Sequence, residues 1–217
     1  MSKRAERIVD QTGRVLGPRA RTTRQNLLDA TAELLARRSL RDLRVADISR
    51  RVGTSPATFY QYFKDVEDAV LRLAEQATDA MPAIVELIDG DWSEGSGLDR
   101  ARSIADAFIG HWDAHRAALR IRNTASDEGD VRFQAVRRRA MGPVLEAFAR
   151  QIEASRPDAA EGGEHPYAAA AALGAILERL AAYHTELEIF GVTRADLVET
   201  TARIVYRTVT GREAPAP

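Results

Sequence analysis

Apolar residues recur at helical spacing along almost the whole chain, and this pattern restricts the fold more than any other feature. In the segment TTRQNLLDATAELLARRS, one stripe holds Leu27, Leu28, Thr31, Leu34 and Leu35. Residues three and four positions apart share one face of a helix, whereas a half-buried strand alternates at every second residue. No stretch of the sequence shows such alternation. The sequence therefore predicts an all-α fold.

Start and stop signals divide the N-terminal part of the chain into three short helices. Thr22, with Gln25 three residues later, has the capping-box pattern of a first helix start. A second helix, VADISRRV, ends at Gly53, because glycine readily adopts a positive φ. Ser55 as N-cap and Pro56 as first helical residue then begin a third helix. Two helices joined by a glycine-containing turn have the layout of a helix-turn-helix unit.

The rest of the chain is also predicted to be helical. The periodicity predicts helices at 66–88, 98–115, 117–126, 130–155, 166–190 and 194–210. Pro82 should kink or divide the first of these, since proline lacks an N–H and clashes with the preceding turn. The longest break, SRPDAAEGGEHP, predicts a mobile connection.

Charge is divided unevenly along the sequence. Residues 1–64 hold 14 Lys and Arg against 6 Asp and Glu, whereas residues 65–217 hold 17 against 26. This division favours a basic module that meets a polyanion, joined to an acidic module that does not. Arginine-rich helices with solvated faces would give the same counts, so charge alone leaves both interpretations open. A flexible basic arm is predicted over 1–20, and such arms can reach into a minor groove; its cations are Lys3, Arg4, Arg7, Arg14 and Arg19.

Several classes of protein are disfavoured by composition. The chain has no cysteine, which excludes a disulfide framework, a thiolate nucleophile and a cysteine zinc site. It has neither an apolar run long enough to span a bilayer nor a signal peptide, so a cytoplasmic location and no membrane partner are expected. His111 and His115 have the i, i+4 spacing of two metal ligands. The Glu of an H-E-x-x-H motif is missing, and we expect no metal, cofactor or catalytic residue. A helical enzyme or metal-binding bundle built on these histidines remains the rival from another class.

The third predicted helix, SPATFYQYF, separates its side chains by face. At about 100° per residue, Phe59 and Phe63 share a stripe that suits the core. Ala57 and Gln61 fall opposite them, and Tyr60 occupies one of the two flanks. If the phenylalanines pack inward, the small and polar face points outward, as in a helix that lies in a DNA major groove.

The outward side chains are chemically suited to DNA. A Gln61 amide can pair bidentately with adenine, and Ala57 can approach a thymine methyl. The hydroxyls of Tyr60 and Tyr62 would reach phosphates on either side of the groove, although packing within the domain is the alternative role for both rings. The predicted DNA-contacting residues are Arg44, Thr54, Ser55, Pro56, Ala57, Thr58, Tyr60, Gln61, Tyr62 and Lys64.

The segment VADISRRVGTSPATFYQYFKDVEDAVL resembles the DNA-binding segment of TetR-family transcriptional repressors. The match covers about 22–71. The matching positions are Gly53, Ser55, Thr58, Phe59, Tyr60, Tyr62, Phe63, Glu67 and Leu71. Val66 departs from the pattern where the family has a phosphate-contacting Lys, and Lys64 could replace it; Arg44 stands where a Ser or Thr normally caps the second helix.

The resemblance implies a homodimeric repressor with a helix-turn-helix domain, here 21–65, and a larger helical effector-binding and dimerisation domain, here 66–217. Its last two long helices would form the dimer interface, unless they only pack within one chain. The candidate interface residues are Leu173, Ile176, Leu177, Leu180, Leu197, Ile204 and Val205. Candidates for a largely apolar effector pocket, each of which could instead be plain core, are Phe108, Trp112, Asn123, Phe133, Met141, Leu145, Phe148, Tyr183 and Glu186.

The function expected from these observations is ligand-responsive repression. The partners would be a palindromic double-stranded DNA operator, a small effector and a second copy of the chain. A TetR-like activator, or a DNA-binding regulator without an effector, is the alternative within the same class.

Overall fold

A computed structural model of the chain describes residues 8–157 and 164–215, and the described residues form an all-α fold as predicted. Short 3-10 segments lie at Leu40–Asp42 and His184–Phe190. The α-helices are α1 Pro18–Leu35, α2 Val45–Val52, α3 Pro56–Tyr62, α4 Val66–Thr78, α5 Met81–Ile88, α6 Gly97–Asp127, α7 Val131–Ser155, α8 Pro166–Tyr183 and α9 Arg194–Thr210.

Proline positions account for two of the boundaries. Pro82 lies in the first turn of α5, so the stretch predicted as 66–88 is divided into two helices rather than kinked. α1 begins at Pro18, with Gly17 as its N-cap, earlier than the capping box predicted at Thr22. The Thr22 hydroxyl instead donates to the Pro18 carbonyl inside the helix.

A kink replaces the break predicted between 98–115 and 117–126. His115 has φ −127° and ψ 15°, outside the helical region, within an otherwise continuous α6. The described chain divides into two compact units next to this kink. The first runs up to Gln76 and includes Ala117–Gln134, and the second takes in Ala77–Arg116 and the described residues from Ala135 onward.

The first unit has a core built from α1 to α4. Leu27, Ile48, Phe59, Phe63 and Val70 are each 0% exposed. The rings of Phe59 and Phe63 lie 5.2 Å apart between centroids. Burying rings of this size supplies much of the free energy that holds a small helical unit together.

Residues 8–16 form a tight turn before α1, in place of the flexible arm predicted there. Val9 and Val15 make an antiparallel bridge, and Gly13 takes a φ of +84° at the tip. The Leu16 N–H donates to the Ile8 carbonyl at 2.9 Å. Local hydrogen bonding thus orders this segment despite its weak periodicity. Lys3, Arg4 and Arg7 lie outside the described residues.

The second unit also has a continuous apolar interior. Ile104, Phe148 and Tyr206 are each 0% exposed. A Cβ at position 174 would lie 2.6 Å from Cδ2 of Leu145, so glycine permits the close approach of α7 and α8. Within the described residues, no helix combines the length and apolar character needed to cross a bilayer.

Candidate nucleic-acid interface

The turn between α2 and α3 is built as the sequence predicted. Gly53 has a φ of +73° and ends α2 in the left-handed region. The Thr54 N–H donates to the Ser49 carbonyl at 2.9 Å. The Ser55 hydroxyl accepts from the Thr58 N–H at 3.2 Å, so Ser55 is the N-cap of α3. These bonds fix the direction in which α3 leaves α2.

The faces of α3 are divided as predicted. Phe59 and Phe63 are fully buried, whereas Ala57 and Gln61 are exposed. Tyr60 is 53% exposed and packs edge-on against Phe59, with centroids 5.8 Å apart. A small residue and a long amide therefore stand on the open side of a helix whose opposite side is fixed in the core. Contact of these residues with DNA stays a prediction.

Both tyrosines have one side against the core and one side open. The half-buried Tyr62 ring lies 6.4 Å from that of Phe63, tilted by 56°. Tyr60 lines an open groove together with Arg44, Pro56, Asp65 and Glu67, at the N-terminal ends of α2, α3 and α4. Packing thus orients each ring while part of it remains exposed, and contact of the two hydroxyls with phosphate stays a prediction.

The cations around α3 differ in how they are engaged. Arg51 makes a bidentate pair with Glu33, at 2.9 and 3.0 Å, which raises the pKa of Arg51 and ties α2 to α1. Arg50 pairs with Asp47 at 3.3 Å. Arg44 and Lys64 are exposed and make no salt bridge with another described residue. Arg44 is also the N-cap of α2 without a capping side-chain bond. Arg44 and Lys64 are therefore both available to an anionic partner.

Three residues lie beside the C-terminal end of α3; the sequence named Arg14 and Arg19 only as cations of a flexible arm and did not identify Gln11. Arg14 and Arg19 line one groove with Gln61 and Tyr62, and Gln11 bonds to the last carbonyls of α3. The segment DQTG carries an available signal, since Asp at the first and Gly at the fourth position of a turn is a common pattern. Its contact with α3 is long-range and leaves no trace in periodicity.

The predicted effector-pocket residues are distributed over both units. Asn123 and Phe133 belong to the first unit and the others to the second. Phe108, Trp112 and Phe148 are buried in the second unit, at 2, 3 and 0% exposure. These aromatic residues thus contribute to the interior, and their contact with an effector stays a prediction.

The remaining pocket candidates lie closer to the surface. Glu186 is exposed on the 3-10 segment, and its contact with an effector stays a prediction. Tyr183 is half-buried, with the Arg179 guanidinium 3.8 Å from its ring centroid. Met141 and Leu145 are half-buried on α7.

The predicted dimer residues fall into two groups. Leu173, Leu177, Leu197 and Val205 are 1, 2, 7 and 0% exposed within their own chain. The structure corrects this part of the prediction, because these side chains already pack internally and offer no surface to a second copy. Ile176 and Leu180 are half-buried and Ile204 is 39% exposed, so their role in a dimer stays a prediction.

Two histidines on α6 lie close together. The His111 and His115 rings are 5.2 Å apart between centroids, and burial lowers the pKa of His115. Across residues 8–157 and 164–215, no group of three or more His, Cys, Asp or Glu side chains could hold a metal ion.

Known proteins share both the sequence pattern and the architecture. Residues 27–73 match the sequence model of the bacterial regulatory proteins of the tetR family, and residues 84–216 match that of the tetracyclin repressor-like C-terminal domain. The fatty acid degradation regulator FadR from Bacillus halodurans is 13% identical, with a TM-score of 0.63 over 91% of this chain and 98% of that one.

Two further solved structures have the same architecture. Bacillus subtilis FadR in complex with stearoyl-CoA is 13% identical, with a TM-score of 0.61 over 87% of this chain and 99% of that one. SmeT, the repressor of the Stenotrophomonas maltophilia multidrug efflux pump SmeDEF, is 17% identical, with a TM-score of 0.59 over 90% and 92%. At these identities the likeness shows the fold.

Proposed function

The chain belongs to the TetR family of bacterial transcriptional regulators, and we propose that within this family it is a ligand-responsive repressor that binds a palindromic operator as a homodimer. The observation that carries the proposal is the exposed side of α3. It presents Ala57 and Gln61 on a helix held from behind by two fully buried phenylalanines. In this proposal Gln61 reads adenine, and Ala57 permits close approach to the bases.

Phosphate contacts would position the helix without reading sequence. Tyr60 and Arg44 line the groove at the N-terminal side of α3, and Lys64 follows its C-terminal end. A phenolic hydroxyl and two mobile cations suit phosphate oxygens. The Ser55 and Thr58 hydroxyls lie 3.1 Å apart, within hydrogen-bond distance, so the main role of both residues is to cap α3. One of the two hydroxyls would remain to contact the DNA backbone.

The proposed homodimer would form through the outer faces of α8 and α9. α8 exposes small apolar side chains at Ala171, Ala172 and Ala175, and α9 exposes Ile204. Phe190, in the 3-10 segment between them, is 75% exposed. Apolar side chains left open in a single chain are suited to cover by a second copy, and small ones allow close helix approach. Two α3 helices would then occupy half-sites about 34–36 Å apart, or a longer multiple.

The proposed effector would bind in the second unit and be largely apolar. Phe108, Trp112 and Phe148 supply the aromatic surface that such a ligand needs. The complex of Bacillus subtilis FadR with stearoyl-CoA supports an acyl-chain effector as a first candidate. An effector that binds better to the DNA-incompetent conformation would shift the population away from the operator. α4, α6 and α7 continue from one unit into the other, so the change would pass along these helices.

The test is direct binding to DNA from around the protein's own gene. We expect a footprint with two-fold symmetry, affinity that falls as salt rises, and a dimer mass in light scattering. Stearoyl-CoA, titrated into the complex, should release the DNA. Absence of salt-sensitive binding to any such fragment would contradict the proposal. Reporter expression in a deletion strain separates repression, which predicts a rise, from activation, which predicts a fall. An effector-independent regulator would bind DNA and ignore every ligand.

A further inference from the structure

The N-terminal turn, residues 8–16, is attached to the end of α3 that carries Gln61. The Gln11 N–H donates to the Gln61 carbonyl at 3.0 Å, and its side-chain Nε2 donates to the Tyr62 carbonyl at 3.0 Å. The same Nε2 lies 3.4 Å from Oδ2 of Asp68. Carbonyls in the last turn of a helix lack intrahelical donors. Gln11 thus supplies donors to α3 and fixes the position of the turn against it.

The turn is also held by bonds within itself. Oδ1 of Asp10 accepts from the Thr12 N–H at 2.9 Å, from the Thr12 hydroxyl at 2.6 Å and from the Arg14 N–H at 3.0 Å. The Thr12 hydroxyl bond lowers the pKa of Asp10, so this carboxylate stays ionised at neutral pH. The Asp10 carboxylate binds donors within the turn, and one of them is the backbone N–H of Arg14. This bond fixes the position of the backbone that carries the Arg14 side chain.

One open groove brings the turn, the start of α1 and the end of α3 together. Arg14 and Arg19 line it with Gln61 and Tyr62. Both arginines are exposed, and neither makes a salt bridge with another described residue. Asp10 is the acidic residue that lines the groove, and its carboxylate already accepts hydrogen bonds from donors within the turn. A groove lined by two arginines without salt bridges matches the oxygens of a phosphodiester backbone.

We propose that the N-terminal turn is a second DNA-contacting element that places Arg14 and Arg19 on phosphates beside the base pairs next to Gln61. This inference rests on the proposed function. The occupant is duplex DNA because the groove shares Gln61 and Tyr62 with α3. A major groove that holds α3 has its bordering phosphates at that wall.

Salt dependence of binding measures the proposed contacts. The probe is a duplex spanning the footprint of the wild-type protein, and the variant is R14A/R19A. Because the proposed dimer loses two arginines from each chain, the slope of log K against log salt should become shallower by about 3.6, or roughly 0.9 for each of the four lost phosphate contacts. The control is R138A/R139A, which removes the same charge from exposed positions on α7 in the second unit and should leave the slope unchanged. A wild-type slope in R14A/R19A overturns the inference and leaves the proposed function intact, whereas a wild-type protein that binds no duplex overturns both.

A second variant tests the attachment of the turn. Q11M keeps side-chain length and removes the donor to the Tyr62 carbonyl. Its slope should move toward that of R14A/R19A, and combining the two changes should add less than the sum of the separate losses. Q25M is the matched control, because Gln25 is exposed on α1 and bonds to Asp29 and Gln76 away from the groove. A Q11M protein with lower thermal stability and a wild-type slope would show that Gln11 is only structural, and would overturn its role in placing the arginines.

Discussion

α3 and α8 differ in what their open faces present. α3 is 7 residues long and buries Phe59 while exposing the polar Gln61, and its C-cap Phe63 is also buried. α8 is 18 residues long and buries Leu173 while its open side carries alanines such as Ala172. An open polar face suits a hydrated, charged partner. An open apolar face exposes hydrophobic surface to water, which is unfavourable, and a protein partner that covers the face would remove this cost.

This contrast separates two kinds of side chain on each helix. Buried residues determine whether the unit folds, and open residues determine what the folded unit meets. On α3 the two groups differ in chemistry, because phenylalanine lies on one side and Gln61 on the other. On α8 they differ mainly in size, since both sides are apolar. Substitutions that affect folding and binding separately can therefore test the comparison.

Truncation of the buried face of α3 should have the largest effect. Phe63→Ala removes a ring that is 0% exposed and packs 5.2 Å from Phe59. Loss of a buried phenylalanine costs about 3–5 kcal/mol in the free energy of unfolding. Urea unfolding followed by circular dichroism should show this loss, and DNA binding should fail because the first unit unfolds. Tyr60→Ala, at a 53% exposed position, is the control and should cost much less. Equal losses for the two variants would contradict the division of faces.

The same comparison on α8 and α9 should separate stability from assembly. Leu177→Ala, at 2% exposure, should cost about 2–5 kcal/mol of unfolding free energy. Ile204→Arg, at 39% exposure, should leave the fold intact and convert the proposed dimer to monomers, because it puts a charge into the interface. Sedimentation measures the mass and urea titration the stability. A dimer that persists in Ile204→Arg would move the interface away from α9.

The sequence was sufficient to predict which face of α3 is buried, but not which face of α8 is buried, and the reason is physical. Local signals such as Gly53, Ser55 and Pro56 set the ends of α2 and α3, and the helical rotation of about 100° per residue separated the aromatic face from the polar one. On α8, periodicity located apolar positions without telling whether the covering surface belongs to the same chain. Leu173 and Ile176 satisfy the same pattern, yet only the first is buried.

Long-range hydrogen bonds could not be predicted from the sequence, for a different reason. The turn that carries Gln11 joins α3 across a separation of about 50 residues in the chain, and pairing over that distance leaves no local signature. The early start of α1 was detectable, since Gly17 followed by Pro18 is a standard helix start. The capping pattern at Thr22 competed with it, and the structure has the helix continuous through that residue.

The open face of α3 should respond to substitution through DNA rather than through stability. Gln61→Ala should alter sequence preference at one position, with a loss of about 1–3 kcal/mol for the preferred base pair. Tyr60→Phe should weaken binding to all sites similarly, because a phosphate contact carries no sequence information. Selection of bound duplexes from a randomised pool measures the preference, and titration against non-cognate DNA measures the uniform effect. Uniform losses for both variants would show that Gln61 does not read a base.

The smallest effects should come from two helix caps that are similar in chemistry and lie in different units. Ser55 caps α3, and Thr193 caps α9 through a capping box with Asp196. Ser55→Ala and Thr193→Ala should each cost about 1 kcal/mol of unfolding free energy. The first should also weaken DNA binding, because fraying at the start of α3 disorders Ala57, whereas the second should not. Equal effects of the two variants on DNA affinity would remove the distinction between the regions.

The stability costs of the two cap substitutions should also differ in their dependence on pH. The hydrogen bond from the Thr193 hydroxyl lowers the pKa of Asp196 from its usual 3.8. A carboxyl with a lowered pKa in the folded state contributes stability above its unfolded pKa and loses that contribution as pH falls through the folded value. The cost of Thr193→Ala should therefore be full at pH 7 and shrink as pH drops below about 3.8, measured as the difference in urea midpoints. The cap at Ser55 bonds to a backbone N–H that does not titrate, so the cost of Ser55→Ala should stay constant over the same range. A Thr193→Ala cost that is also constant would show that the Thr193 hydroxyl does not lower the pKa of Asp196, because the variant keeps the bond from the backbone N–H of residue 193.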